Sequence, residues 1–200
     1  MKKVLGTLTK RIIEALGLSV ALCLALYLAV LCVFPFPYDA LKHIKYSQCI
    51  FDRNGNLIRV FAGQDDSRLM PIDVKEINPN LVNATLAIED NRFRSHHGVD
   101  LFAVLRAVRL NVTNQKTISG ASTISMQVIR IAENRKRSYF NKAIEAVHAI
   151  RLETLYSKEE ILRFYFELAP YGGNIRGVKA AALRYFKKYP QDLTLSECAL

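Results

Sequence analysis

The sequence predicts a mainly α-helical domain behind one apolar N-terminal helix, with a short β-ribbon between them. Three observations predict it. No residue from Ala15 to Tyr38 is charged. Asn54-Gly55 lies between two runs rich in β-forming residues, a hairpin signal. Beyond it, helix-start signals precede apolar periodic segments at Asn78-Pro79, at Ser157 with Glu160, and at Thr194 with Glu197. Composition narrows the class further. In 200 residues, 50% are hydrophobic, and Lys+Arg 28 against Asp+Glu 18 leave a net charge of +10. Disorder needs low hydrophobicity beside high charge, so it is excluded. Glycine and proline are ordinary, and no repeat of about 20–50 residues is visible, which excludes collagen-like chains and solenoids. The basic balance suits an anionic membrane surface or a phosphorylated ligand, or simple solubility.

Taken in order, the first element is ALGLSVALCLALYLAVLCVFPFPY, Ala15 to Tyr38. A helix crosses a bilayer with about 20 apolar residues. Lys2, Lys3, Lys10 and Arg11 precede it, so residues 1–11 read as a cytoplasmic basic tail, 12–38 as a transmembrane signal anchor, and the rest as extracytoplasmic. A cleaved signal peptide fits less well: the run exceeds the usual ~7–15 residues and ends in FPFPY. Residues 39–77 read as a linker holding the hairpin of 49–61. Asn78 caps a helix that ends at Glu89-Asp90. Residues 101–112, LFAVLRAVRLNV, are helical and either join the core or dip into lipid headgroups beside Arg106 and Arg109. Asn114 to Ala121 is a loop, and Ser122 opens the next helix. Helices over Asn141–Tyr156, from Ser157 to Ala169, and over 175–188 follow. Thr194 caps one more, which is still running at Leu200, as in a truncated piece of a longer chain. Cys49 and Cys198 are far apart in sequence and read as free thiols, with a disulfide as the alternative.

Four constellations can carry chemistry. EDNRFRSHHGVD (89–100) ends an apolar helix in a carboxylate. Half-shielded, Glu89 would act as a base, with Asp90, Arg92 and His96 orienting it; otherwise this is a solvated helix end. GASTISMQ (120–127) puts small residues and hydroxyls at a helix N-terminus, suited to a diphosphate or to plain capping. Arg130, Arg135, Lys136, Arg137 and Lys142 precede Glu145. They make a cationic cradle for a diphosphate or a divalent metal, or a surface ion pair beside a solvated run. The stretch 167–188, with Gly172, Gly173 and Gly177, reads mainly as structural, with a basic edge.

In this order, EDNRFRSHHGVD, GASTISMQ, NKAIE and SKEEILRFYFELAPYGGNIRGVKAAALRYF resemble the glycosyltransferase family 51 domain. That is the peptidoglycan transglycosylase module of class A penicillin-binding proteins, and APYGG looks most like the penicillin-binding protein 1C subgroup. The resemblance covers about residues 45–200, with 78–200 as the C-terminally truncated catalytic domain. It implies a lysozyme-like, mainly α fold in the bacterial inner membrane. It also implies an inverting transfer from an undecaprenyl-diphosphate-linked glycan to the GlcNAc 4-hydroxyl of lipid II. Glu89 then matches the general base. Glu145 matches a second catalytic carboxylate at the diphosphate or its metal, Mg²⁺ or Mn²⁺. Asp90, His96, Ser122, Thr123, Gln127 and Lys142 match substrate-binding positions, and Arg130 and Arg137 fall near the diphosphate-binding cations.

The implied partners are lipid II, the nascent glycan, the membrane and cell-wall synthesis proteins, with no nucleic acid and no organic cofactor. Asn141, Met126 and Glu167 depart from the pattern, in expectation weakening donor binding (Asn141) and disturbing helix packing (Glu167). No Ser-x-x-Lys occurs, so no transpeptidase site is present in these residues. An inactive membrane-tethered scaffold and a lysozyme-like glycan hydrolase are the alternatives.

Overall fold

The computed structural model describes residues 2–63, 65–116 and 120–200, with side chains from Lys10 onward. Helix α1 spans Lys2–Val33. Its stretch Lys10–Val33 has a mean hydropathy of 2.6, long and apolar enough to cross a bilayer. The helix stops at Val33 rather than reaching Tyr38, because Pro35 and Pro37 follow and proline lacks the N–H a helix needs.

From Pro37 onward the chain forms one compact unit. Residues 39–77 are therefore no linker. Leu41, Leu69, Met70, Ile72 and Ile77 are buried in the unit. After the short helix α2 (Tyr38–Lys42), strands β1 (Cys49–Phe51) and β2 (Leu57–Val60) pair antiparallel, Cys49 opposite Val60 and Phe51 opposite Leu57. The expected two-residue turn is replaced by a longer loop with a bulge after Ile50. The Asp52 carboxylate organises it, accepting from the backbone N–H of Asn54 and Asn56 at 2.8 Å each, with Gly55 at φ +82°. Strand β3 (Arg68–Leu69) then pairs in parallel with β4 (Ile175–Arg176). Two-residue strands carry no periodicity, so the sequence pattern missed them.

The remainder is helical: α3 (Pro79–Glu89), α4 (Leu101–Asn114), α5 (Ile124–Glu133), α6 (Tyr139–Leu155), α7 (Lys158–Leu168), α8 (Val178–Tyr185) and α9 (Leu195–Cys198). Asn78 caps α3, and Ser157 with Glu160 and Thr194 with Glu197 form capping boxes, as expected. Thr123, not Ser122, caps α5, and α6 starts at Tyr139 behind the Ser138 cap. The 175–188 segment divides into β4 and α8 at Gly177, φ +80°. Of the expected 114–121 loop, 117–119 lie outside the described residues. All four cysteines are free thiols.

Helix α5 is the central element. It packs on α6 and α7, and Ile124, Val128, Ile129, Ile144, Leu152 and Phe166 are completely buried there. Helix α4 is built the other way round. Leu101, Leu105, Val108 and Val112, spaced along one stripe, are each more than half exposed, while Ala107 on the other side is buried. The core reading of 101–112 is thereby corrected.

Gly98 sets how closely the 90–98 turn approaches α6. It sits at φ +87°, and a Cβ there would lie 2.6 Å from backbone atoms of Ala149 and Ile150. Gly98→Ala is therefore expected to lose about 3 kcal/mol or more of stability. Gly55→Ala, with a similar φ but open space, should lose only about 1 kcal/mol. Equal losses in urea unfolding would show that the close approach does not matter.

Candidate active site

Three helix ends converge: the C-terminus of α3 and the N-termini of α5 and α6. The joint is Asp90, buried at the C-cap of α3. Its Oδ2 accepts the backbone N–H of Ile124 at 3.0 Å, and its two oxygens lie 3.0 and 2.9 Å from His96 Nε2. Thr123 fastens the same seam, donating to the Gly98 carbonyl at 2.6 Å and accepting from Met126 N–H at 3.2 Å. Each buried carboxylate or hydroxyl is thus used to dock the 89–100 segment on the α5 N-terminus. Glu89, one residue earlier, stays exposed and accepts from Gln127 Nε2 at 2.7 Å.

Glu89 and Gln127 face a cleft of 590 Å³ whose other walls carry Ser122, Arg130, Arg137, Tyr139, Lys142 and Glu145. Among the described residues, no salt bridge neutralises Arg130, Arg137 or Lys142. Arg130 and Arg137 also line a neighbouring groove of 1190 Å³, which adds Lys45, Arg135 and Arg176. Arg130, Arg137 and Lys142, three cations on one cleft without a salt bridge among the described residues, favour an anionic ligand. Glu145, three residues after Lys142 on the same face of α6, is buried. Burial raises its pKa, Glu133 adds to the rise, and the charges of Arg130, Lys142 and Arg135 oppose it.

Seven residues predicted from sequence thus come together: Glu89, Ser122, Gln127, Arg130, Arg137, Lys142 and Glu145. Asp90, His96 and Thr123 do not line this cleft; they form its buried support. Glu89 is not half-shielded as expected, because α3 ends with its last side chain pointing outward. Asn141 is absent from the cleft wall and donates to the Lys136 carbonyl at 2.8 Å, while Met126 is buried in the core. Glu167 does not disturb packing: Arg163, Tyr46 and the Ile72 N–H all donate to it. Sequence reasoning missed Tyr139 on the rim, for which no pattern exists. It also missed Tyr165 and Tyr171: burial and then the Glu89 charge push Tyr165 up to about 12, and burial, then Tyr165, then Glu89 raise Tyr171.

Nor was the Glu133–His148–Arg135 cluster foreseen, although His148 follows Glu145 by one helical step. His148 Nδ1 lies 2.9 Å from Glu133 Oε1, and Arg135 donates to the same carboxylate.

The donor set argues against a resident metal. Among the described residues no three His, Cys, Asp or Glu side chains cluster to hold one. Glu145 is a single carboxylate whose surroundings are already cationic.

Glu133 yields a pH-dependent expectation. Burial would raise its pKa, but bonds from His148 and Arg135 outweigh that and lower it below the ordinary value. A carboxylate with a lowered folded pKa stabilises the fold above its unfolded value, near 4.3, and loses that contribution as pH falls through the folded value. Glu133→Gln should therefore cost about 2 kcal/mol at neutral pH, and the gap to the parent should narrow below about pH 4. Unfolding curves at the two pH values read this directly; a gap that widens in acid would contradict it.

A transglycosylase family model matches residues 54–200. Penicillin-binding protein 1C of Escherichia coli is 32% identical over 168 residues, 84% of this chain and 21% of that protein. Penicillin-binding protein 1F of Bacillus subtilis is 32% identical over 187 residues, 92% of this chain and 26% of its own. Penicillin-binding protein 1A of Haemophilus influenzae is 38% identical over 152 residues, 76% and 18%. The chain spans about a fifth to a quarter of the length of these relatives. With the match covering β2 and every helix from α3 to α9, this chain belongs to the transglycosylase family.

Proposed function

We propose that this domain polymerises peptidoglycan glycan strands by inverting transfer. The carrying observation is one cleft with an exposed carboxylate, Glu89, on one wall and Arg130, Arg137 and Lys142 on the other. Inversion at a sugar carbon needs a base beside the attacking hydroxyl and charge neutralisation beside the leaving group. The GlcNAc 4-hydroxyl of lipid II attacks the anomeric carbon of the donor strand. Its proton passes to Glu89 as the new C–O bond forms, and the bond from that carbon to the undecaprenyl diphosphate breaks. The three cations take up the diphosphate charge, which is the role a divalent ion would otherwise fill. Glu145 sits among Arg130, Lys142 and Arg135 and orders them. Gln127 holds the Glu89 carboxylate in direction. Since Glu89 is open to water, the bound sugars supply the shielding that a base needs.

A lipid-linked substrate also accounts for the apolar surfaces. Helix α1 anchors the chain in the inner membrane, with its basic end cytoplasmic and the catalytic unit outside. The exposed stripe of α4, flanked by Arg106 and Arg109, suits the headgroup region where such substrates reside. Further cell-wall synthesis proteins are partners in this reading.

Labelled lipid II supplied to the purified chain tests it. Polymer should form, and Glu89→Gln should lower kcat by about 10²–10⁴-fold with the fold intact. Lys142→Ala and Arg137→Ala should each lower kcat/KM by about tenfold or more. Parental rate in Glu89→Gln would remove Glu89 as base. Cleavage of preformed glycan would favour a hydrolase, and no turnover a scaffold.

A further inference from the structure

We infer that Lys158 and Glu153, which lie outside the cleft, are positioning residues that hold Glu89 in line with the cations; the inference rests on the reading of Glu89 above. Glu153 is near the end of α6 and Lys158 opens α7. The Lys158 ammonium lies 2.6 Å from Glu153 Oε2 and donates to the His96 carbonyl at 2.8 Å. It also sits 4.4 Å from the centre of the Phe93 ring. The other Glu153 oxygen accepts from Ser125 Oγ at 2.5 Å. The Glu153 and Phe93 side chains are almost wholly buried, and so is His96.

One detail shows how much depends on that ammonium. His96 Nε2 is bound to Asp90, but its buried Nδ1 has no hydrogen-bond partner and faces Glu153 Oε1 at 3.8 Å. The ring is therefore pinned by one edge only, between two buried carboxylates. Lys158 supplies the positive charge that holds Glu153 beside this ring, and it grips the His96 backbone as well. Without it, Glu153 and Asp90 confront each other across His96 with too few donors, and the 90–98 turn relaxes. Asp90 then loosens from the Ile124 N–H, and the adjacent Glu89 loses its direction. Because neither Lys158 nor Glu153 lines the cleft, substrate binding should be spared.

The test uses the full chain in detergent with labelled lipid II. Lys158→Met keeps the stem over Phe93 and removes the charge. It should lower kcat about ten- to a hundredfold while KM stays within about twofold, since a misplacement of about 1 Å costs that much. Lys158→Arg, which can donate to both partners, should recover the rate to within about threefold of the parent. If Lys158→Met does not fold, Ser125→Ala, which removes only the second donor to Glu153, should show the same split at about threefold to tenfold. A folded Lys158→Met with parental kcat, or with raised KM alone, overturns the inference. An inactive parent would instead overturn the reading of Glu89. Positioning is then decided by hydrogen exchange over residues 122–127: about tenfold faster in Lys158→Met supports the clamp, and an unchanged rate overturns it.

Discussion

The buried carboxylate of Asp90 is the constraint on which the rest of the site depends. It ties the 90–98 turn, through His96, to the first turn of α5, through the Ile124 N–H. Bonds to an ionised group contribute about 1.5–3 kcal/mol each, and a buried carboxylate stripped of them costs more. The carboxylate therefore has one comfortable position, and the neighbouring Glu89 inherits it. Thr123 and Gly98 complete the seam, one by a hydroxyl bond and the other by offering no side chain at all. The proposed base is thus held by groups that do not line its cleft.

The charges are sorted by depth. Asp90, Glu145 and Glu167 are buried and each works on other parts of the protein, whereas Glu89 and Lys142 are exposed on the cleft. Burial raises Glu145, and the cations around it pull the other way. Those cations would repel one another without a carboxylate between them. With Glu145 buried among them, Arg130 and Lys142 line the same cleft as the exposed Glu89, so both signs of charge meet in one place.

Much of this was legible in the sequence because capping and apolar spacing are local. Asn78-Pro79, Ser157 with Glu160, and Thr194 with Glu197 mark helix starts that the structure retains. The cleft residues were legible because Lys142 and Glu145 share a helix face and Glu89 ends a helix. What failed was tertiary. Two adjacent hydroxyls, Ser122 and Thr123, compete to cap α5, and only the position of the Gly98 carbonyl decides for Thr123. Polar Asp90 and His96 gave no sign that they face inward. The β3–β4 pair joins residues more than a hundred positions apart, and it turns a stretch that resembles a linker into part of the unit.

Glu167 carries that last point furthest. A carboxylate buried at the end of α7 would be costly if unpaired. Here Arg163, one turn earlier, donates at 3.0 Å, Tyr46 at 3.2 Å and the Ile72 backbone at 3.3 Å. The Tyr46 pKa is raised by burial and then by this carboxylate. Two of the three donors come from the segment between α2 and α3, so this charge ties that segment to α7. An asparagine at 167 would offer one acceptor oxygen and no charge for Arg163. The buried charge at 167 is therefore satisfied by its own neighbours, and α7 keeps its packing.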